Sequence, residues 1–532
     1  MTIQVAGLSS SRKTPGIYLA AIVGGVPTSA GEVPEKIILL GNKITSNITA
    51  ASPSFTVTAG TQANATPVFI ASADDAASYF GRGSELHREA IRLFEQQPDA
   101  LVYAVATAES GGARASVICT FATTATGAFT VRVRMAGKTF DVAVASGDTA
   151  TVIATAVANA ILDEVDLPVT AQFSVGALTI SAKHPGPRGN AYHARLSFVD
   201  SAGRETTITT GSTSSGNATT GILSGGAAEG GVYLFTGGTT QDDVTAVLAV
   251  IASTRYDRYV SAFRDAANLD LIAAQLDSMA GVLTQKRQQY VACSPDTLAT
   301  ATPLATGRND ARGQIVWHYV SPLPPEEVAA QVCAARLAGD SAAGGQLVGE
   351  STDPAANLDG LLMRSMEAQY DIADQPLATE IESALNNGLT PLQPSGSKTS
   401  VVRSITTRSL DGASQPNYSV LDTSNVTVID YCADDLQLDL ATVFAGKKLA
   451  ADPANGQPPQ IANVVTPNSA RARIHWKLKQ YEEAGILRDV DANLPLLVVA
   501  EDPSVAGKLL AEIPAEPMPG LHIFGGNVRQ VA

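Results

Sequence analysis

The sequence predicts a multidomain α/β protein with a mainly parallel sheet, helices on both sheet faces, an inserted β-rich domain and extended terminal β arms. Three observations predict this architecture. Strand-like and helix-like segments alternate from Lys36 onward, which indicates parallel pairing with helices on both faces. Between about residues 112 and 231, apolar residues instead alternate with period two, which indicates a separate β-rich domain. Each end of the chain carries a strand-like run beyond a spacer.

Length and charge bound the possible functions. The 532 residues suffice for roughly three or four domains. Lys+Arg number 36 against 51 Asp+Glu, a net charge of −15, and such a field disfavours nucleic-acid contact. The four cysteines are far apart in sequence, so neither a zinc site nor a disulfide framework is expected. No stretch reaches the ~18 apolar residues of a membrane helix, so we expect no direct membrane insertion.

The amino-terminal arm is assigned to residues 1–30. A small, polar leader precedes the strand-like run from Ile17 to Val23, which Gly24 and Gly25 close. Such a strand has few local neighbours, and it can pair with its own sheet or with that of another chain.

The α/β domain is assigned to residues 31–111 and 232–345, interrupted by the inserted domain at 112–231. Its predicted strands are Ile37–Gly41, Leu101–Ala106, Tyr259–Phe263, Gln289–Cys293 and Gln314–Val320, and its predicted helices are 73–96, 242–253, 267–284 and 324–337. We expect the first helix to be interrupted at Gly81 and Gly83. The inserted domain should contain one helix, about 149–164, with Asp148 as its N-cap.

A C-terminal α/β domain is assigned to residues 346–510 and a carboxyl-terminal arm to 511–532. The predicted helices of this domain are 377–387, 424–447 and one that begins at Pro467, and its predicted strands include Thr399–Thr407 and Leu494–Ala500. In the arm, Pro514, Pro517 and Pro519 favour extended geometry ahead of a terminal strand.

The helix after Pro467 carries five cationic side chains without an intervening acid. They are Arg471, Arg473, His475, Lys477 and Lys479. Arg471, His475 and Lys479 share one helix face through four-residue steps. On an acidic protein this stripe is a candidate docking surface for an acidic partner, and the alternative is an ordinary solvated face.

The search for catalytic chemistry gives no catalytic, cofactor-binding or metal site. Nucleophile-elbow, zinc-protease and phosphate-loop motifs are missing from the sequence. Asp265 and Asp296 follow predicted strands at the edge where α/β folds bind ligands. They can be catalytic carboxylates of an α/β hydrolase, or they can cap the helices that follow. His184 and His193 flank a Pro/Gly turn, so a loop is the better interpretation there than a metal site.

Several segments, in this order along the chain, resemble the tail sheath proteins of contractile-tailed bacteriophages, particularly the Mu-like group. They are Thr14–Tyr18, Ala77–Leu86, Gly137–Phe140, Gly147–Thr149 and Ile381–Pro394. The resemblance implies a structural protein, not an enzyme, without cofactors. It implies hexameric rings stacked around an inner tail tube, whose contraction drives the tube through the bacterial envelope for genome ejection.

The resemblance also implies partners and positions. Partners are further copies of the chain, the tail tube protein, and the baseplate and tail terminator proteins. The location is the virion, with assembly in the host cytoplasm. The inserted domain points outward, and the stripe from Arg471 to Lys479 faces the tube. The arms add strands to neighbouring subunits through Ile17, Tyr18, Leu19, Ile22, Leu521, Ile523, Phe524 and Val528.

Three alternatives stay open. The sheath of a bacterial contractile injection system, such as a pyocin, obeys the same physics as a phage tail. An α/β hydrolase requires Asp265 and Asp296 to converge in one pocket. A surface adhesin requires an export signal, which residues 1–7 do not show.

Overall fold

The computed structural model describes residues 35–51, 54–121, 124–174, 177–207, 223–224, 232–341, 357–411, 415, 420–453, 463–523 and 525. The amino-terminal arm residues Ile17, Tyr18, Leu19 and Ile22 therefore lie outside the described residues, as do Phe524 and Val528.

Strands are numbered here in chain order. They are β1 Lys36–Asn42, β2 Ile48–Ala51, β3 Ser54–Val57, β4 Val68–Ile70, β5 Leu101–Thr107, β6 Arg114–Phe121, β7 Phe129–Met135, β8 Lys138–Val144, β9 Val169–Ser174, β10 Ala177–Pro185, β11 His193–Val199, β12 Glu205–Thr207, β13 Leu223–Ser224, β14 Val232–Leu234, β15 Arg258–Ser261, β16 Gln289–Ser294, β17 Gly313–Trp317, β18 Leu362–Glu367, β19 Leu389–Ser395, β20 Lys398–Val401, β21 Lys448–Leu449, β22 Val464–Val465, β23 Val498–Glu501 and β24 Leu509–Glu512.

The α-helices are numbered in the same way. They are α1 Ala73–Phe80, α2 Glu85–Gln96, α3 Ala150–Asp163, α4 Thr245–Ile251, α5 Ala266–Ala280, α6 Leu298–Thr306, α7 Pro325–Ser341, α8 Ala378–Asn386, α9 Thr423–Phe444, α10 Pro467–Glu483 and α11 Val490–Asn493. Short 3-10 helices cover Pro187–Ala191, Ile372–Asp374 and Leu494–Leu496.

The central sheet confirms the predicted α/β class. Within the described residues it has nine strands in the order β18-β20-β19-β17-β16-β15-β1-β5-β4. All pairings from β19 to β5 are parallel, whereas β4 at one edge and β20 and β18 at the other pair antiparallel. The C-terminal domain was predicted to begin at residue 346, but its first three strands, β18, β19 and β20, belong to this central sheet.

Helices cover both faces of the sheet, as predicted. Ile37 and Leu39 of β1 pack with α1, α2 and α7, whereas Ile38 and Leu40 pack with α4, α5 and α6 on the opposite face. A strand buried on both sides reads as a continuous apolar run, which is why the sequence revealed it. The predicted break between α1 and α2 is also present, because Gly81 has φ 87° and acts as the C-cap of α1.

The segment from β6 to β14 forms two antiparallel sheets around α3. One has the order β13-β6-β10-β9, and the other has the order β12-β11-β7-β8, with β14 also paired to β11. The apolar sides of both sheets, α3 and the β2–β3 hairpin share one core. The predicted cap at Asp148 is wrong by one residue. Thr149 accepts the Val152 amide as N-cap of α3, and Asp148 instead accepts the Ala145 amide.

The C-terminal part of the chain packs α9, α10 and α11 around a separate core that includes Leu436, Ile474 and Leu478. Two short strands, β23 and β24, pair antiparallel beside it. The strand predicted at Leu494–Ala500 begins only at Val498, because Pro495 lies in a 3-10 helix. Residues 511 and 512 of the predicted arm belong to β24 in this pair of strands. None of the helices in the described part of the chain combines the length and apolar character that a membrane crossing requires.

Candidate functional site

The carboxyl edge of the parallel sheet is the first place to look for a site. Strand β5 lies on one side of β1 and β15 on the other, so the strand order reverses at β1. Open α/β sheets bind their ligands in the crevice at such a reversal. At the carboxyl end of β1, the Asn42 backbone amide donates to Glu85 (2.9 Å) and its side-chain amide donates to Asp242 (2.7 Å).

This crevice is filled by an arginine of the inserted domain. Arg188, on the 3-10 helix Pro187–Ala191, donates to Glu85 at 3.0 Å and to Asp242 at 2.8 Å. Its guanidinium carbon lies 4.3 Å from the centre of the Phe263 ring. All three ionic side chains are at most 5% exposed. Burial disfavours the charge on Arg188, but the two carboxylates outweigh burial and raise its pKa.

Closure of the crevice has a chemical consequence. The Arg188 guanidinium occupies the place in which other open α/β sheets bind a ligand. It is paired there with two carboxylates and lies over the Phe263 ring. The arrangement therefore serves to attach the inserted domain to the sheet.

A second buried ionic cluster joins the same domains between α2 and α7. Arg88 bonds to Glu327, and the hydroxyl of Tyr192 in the inserted domain donates to Glu326 at 2.8 Å. Glu89 is fully buried beside them, and both of its carboxylate oxygens are without a hydrogen-bond partner among the described residues. Burial first, and then the neighbouring acids, raise the pKa of Glu89 well above its usual range. A neutral Glu89 costs less free energy to bury than a charged one.

The two carboxylates of the hydrolase alternative occupy structural positions. Asp265 is the N-cap of α5, where it accepts the Asn268 amide at 3.0 Å. The Asp296 carboxylate accepts the hydroxyl of Ser294 at 3.2 Å. The structure thus assigns Asp265 the helix-capping role that the sequence left open. Within the described residues, no group of His, Cys, Asp and Glu has the arrangement of a metal site.

The first face of the predicted basic stripe is engaged by its own chain. Arg471 donates to the carbonyl of Leu497 at 2.9 Å. His475 and Lys479 both contact the Asp491 carboxylate, each at 3.0 Å. The hydrogen bond from Lys479, followed by that from His475, lowers the pKa of Asp491.

The other two cations of the stripe face α9. Arg473 donates to Asp439 at 2.8 Å, and Lys477 lies 2.7 Å from Asp435. Trp476 lies between these two in sequence and is 48% exposed, with the Arg473 guanidinium 4.1 Å from its ring centre. Four of the five cations thus contact carboxylates of the same chain, whereas Arg471 contacts backbone carbonyls, and Trp476 is an exposed aromatic ring on this helix.

Near the carboxyl terminus, the chain contacts its own subunit through the Leu521 carbonyl, which accepts from the Asn357 side-chain amide at 3.4 Å, and through the His522 ring. His522 Nδ1 lies 2.6 Å from the Asp359 carboxylate. On either side of it, Leu521 is 76% exposed and Ile523 is 85% exposed. When a partner covers large apolar side chains that are exposed to solvent, the free energy of the system falls.

Comparison with known proteins gives a match along most of the chain. Over 517 residues the chain is 24% identical to the Mu-like prophage FluMu tail sheath protein of Haemophilus influenzae, covering 94% of each chain. This match confirms the predicted resemblance to Mu-like tail sheath proteins. The search of family models found none that matches.

Two solved structures show weaker similarity to this chain. The sheath tail protein of Desulfitobacterium hafniense covers 95% of this chain and 97% of its own, with 13% identity and a TM-score of 0.45. The flagellar cap protein FliD of Escherichia coli covers 37% of this chain and 60% of its own, with 13% identity and a TM-score of 0.14. TM-scores this low do not support an inference.

Sequence reasoning missed the arginine that closes the sheet edge. Arg188 is separated from Glu85 by 103 residues and from Asp242 by 54. Its local sequence, between Pro187 and Gly189, is typical of a surface turn. The sequence shows that Arg188 lies in an inserted domain whose chain returns to the sheet. This position does not indicate which residues Arg188 contacts.

Proposed function

We propose that this protein is the structural subunit of a contractile tail sheath. Copies would stack as hexameric rings around an inner tail tube and contract to drive the tube through the bacterial envelope for genome ejection. The observation that carries the proposal is the match over 94% of the chain to a Mu-like tail sheath protein. The protein would reside in the virion after assembly in the host cytoplasm, and it would act without catalysis or cofactors.

Strand exchange between subunits is supported by an incomplete sheet. Within the described residues, β23 and β24 pair only with each other, so each presents a free edge. Two strands alone are marginally stable, and a third strand adds main-chain hydrogen bonds and covers apolar surface. We propose that the terminal arms supply such strands to neighbouring copies, since strand addition makes little demand on side-chain identity.

The exposed carboxyl-terminal residues support the same proposal from the donor side. Leu521 and Ile523 expose most of their apolar surface in the isolated subunit. His522, held by Asp359, fixes the point at which the segment leaves the body. We propose that the residues beyond it pair with another copy.

The tube-facing role of α10 remains part of the proposal, with its chemistry refined by the structure. Arg471, Arg473, His475, Lys477 and Lys479 would lie at the tube surface. Since carboxylates of the same chain neutralise most of these cations, long-range attraction would be weak. An exposed aromatic ring such as Trp476 is the kind of residue that dominates interface energies. The baseplate and the tail terminator would cap the two ends of the stack.

Exposed residues offer a clean test of polymerisation. The variant Ile523→Asp should fold and melt like the wild type, because the side chain is 85% exposed in the subunit. It should fail to form the rings or tubes that negative-stain microscopy shows for the wild type. The control is Leu283→Asp, at a site 54% exposed in the α/β domain. Normal tubes from the Ile523 variant would argue against the arm, and a wild type without rings or tubes would refute the proposal.

A bacterial injection sheath remains the closest alternative, since it uses the same assembly. Genes for a capsid beside this one would favour the phage tail. The hydrolase alternative loses support because Arg188 fills the crevice and Asp265 caps a helix.

A further inference from the structure

Glu89 of α2 is a buried acid that the fold leaves without a partner. Its side chain is fully buried, and neither carboxyl oxygen has a hydrogen-bond partner among the described residues. Buried polar groups are normally satisfied, and a buried charge without a partner is far more unfavourable than a buried neutral group. Burying this side chain as the neutral acid therefore costs much less free energy than burying it as the anion.

Glu89 lies where the inserted domain meets the α/β domain. The charged groups that face it come from α2, from α7 and from the inserted domain, and they are Glu85, Arg88, Glu326 and Arg188. Arg188 of the inserted domain donates to Glu85, one helical turn before Glu89, at 3.0 Å. Tyr192 of the same domain donates to Glu326 at 2.8 Å. The acids beside Glu89 thus form the contacts between the two domains.

Carboxylates already outnumber cations in this cluster. Arg88 contacts two carboxylates on α7, and Arg188 contacts one on α2 and one after β14. These four are Glu326, Glu327, Glu85 and Asp242. Arg92 adds a third cation through Glu327. A further anion at Glu89 would add repulsion, and burial followed by the neighbouring acids raises the pKa of Glu89 well above its usual range.

We propose that a protonated Glu89 holds the inserted domain against the α/β domain, and that separation of the two domains releases this proton. On separation, water reaches the carboxyl group, its O–H bond breaks and the proton passes to solvent. The group then ionises as it does in the unfolded chain, near pH 4.5. Above that pH, each separation releases a proton, so rising pH favours the open joint and falling pH favours the closed one.

An ionised Glu89 that pairs with arginine is the competing arrangement. Nη1 of Arg88 and Nη1 of Arg188 are also buried without a hydrogen-bond partner among the described residues. Glu89→Gln distinguishes the two arrangements, because the amide keeps the shape of the neutral acid and lacks the charge. The variant removes a burden if Glu89 is neutral in the native subunit, and it removes an attraction if Glu89 is charged.

The first measurement is thermal unfolding of the dilute, unassembled subunit between pH 5 and pH 8. The joint lies within one subunit, so the result does not depend on assembly. In the wild type, the unfolded chain ionises at Glu89 while the native chain does not, which lowers native stability as the pH rises. Glu89→Gln lacks this loss, so its Tm relative to the wild type should rise by about 4 °C or more from pH 5 to pH 8.

A matched control lies on the same helix. Glu95 has a side chain that is 43% exposed, and it pairs with Arg92. The Tm of Glu95→Gln relative to the wild type should stay constant over the same pH range. A constant difference for Glu89→Gln, or a Tm below the wild type at pH 8, would overturn the proposal, because the joint would then need the charged form.

The second measurement locates the opening and needs no variant. Hydrogen exchange of the wild-type subunit, corrected for its intrinsic pH dependence, is followed by mass spectrometry at pH 6 and pH 8. Peptides from residues 187–199, which include Arg188 and Tyr192, should lose protection about tenfold or more. Peptides from β16 in the central sheet should keep theirs. Unchanged protection of residues 187–199, or an equal loss in β16, would contradict the proposal.

Discussion

Loss of the buried guanidinium at the sheet edge should strongly destabilise the subunit. In Arg188→Ala, the carboxylates of Glu85 and Asp242 lose a shared cation while they stay at most 3% exposed. Removing one partner of a buried ion pair costs about 3–5 kcal/mol. Amides of Asn42 and Ser110 still donate to the two carboxylates, which favours the lower end of this range.

The assay is thermal unfolding of the dilute, unassembled subunit. For a domain of 150–250 residues, each kcal/mol shifts Tm by about 2–4 °C, so a loss of about 3 kcal/mol lowers Tm by about 6–12 °C. Arg204→Ala is the matched control, because Arg204 is 80% exposed and its ion pair is with nearby Asp200. Its Tm should change by less than about 2 °C. A similarly small change for Arg188→Ala would refute the idea that this cluster fastens the inserted domain.

Further predictions concern protonation and thiol access. The hydrogen bond from Arg134 is the main cause that lowers the pKa of Glu205 to about 2. The pairing therefore stabilises the fold above pH 4.5, and this stabilisation is lost as the pH falls towards 2. In Glu205→Gln, the free energy of unfolding should depend less on pH between these values. Burial lowers the pKa of His87, His193 and His318 to about 4, so unfolding takes up protons and Tm should fall from pH 6.5 to 4.5; a constant Tm would contradict this. All four cysteines are buried, so maleimide should react slowly with the native subunit. In urea it should label all four.

Elements defined by local pattern were predictable from the sequence. The parallel strands β1, β5, β15 and β16 were located closely, because strands buried on both faces leave continuous apolar runs. The ends of α8 were also predicted to within a residue, since Gly388 at φ 76° terminates it. Local chemistry fixes such features without knowledge of the rest of the fold.

Features that depend on distant residues were not predictable. The cations of α10 are visible in the sequence, but their partners Asp439, Asp435 and Asp491 come from other helices and convert a basic stripe into ion pairs. The edge strands β18 and β20 are short, and only pairing shows that they extend the central sheet. Packing thus determined the electrostatic character of the candidate site.

The most direct test of the account is a cryo-electron microscopy map of the assembled protein that resolves the carboxyl-terminal segment. We expect residues beyond His522 to run as a strand along β23 or β24 of a different subunit, with Leu521 and Ile523 covered. A map in which this segment folds back onto the sheet of its own subunit in every ring would contradict the account.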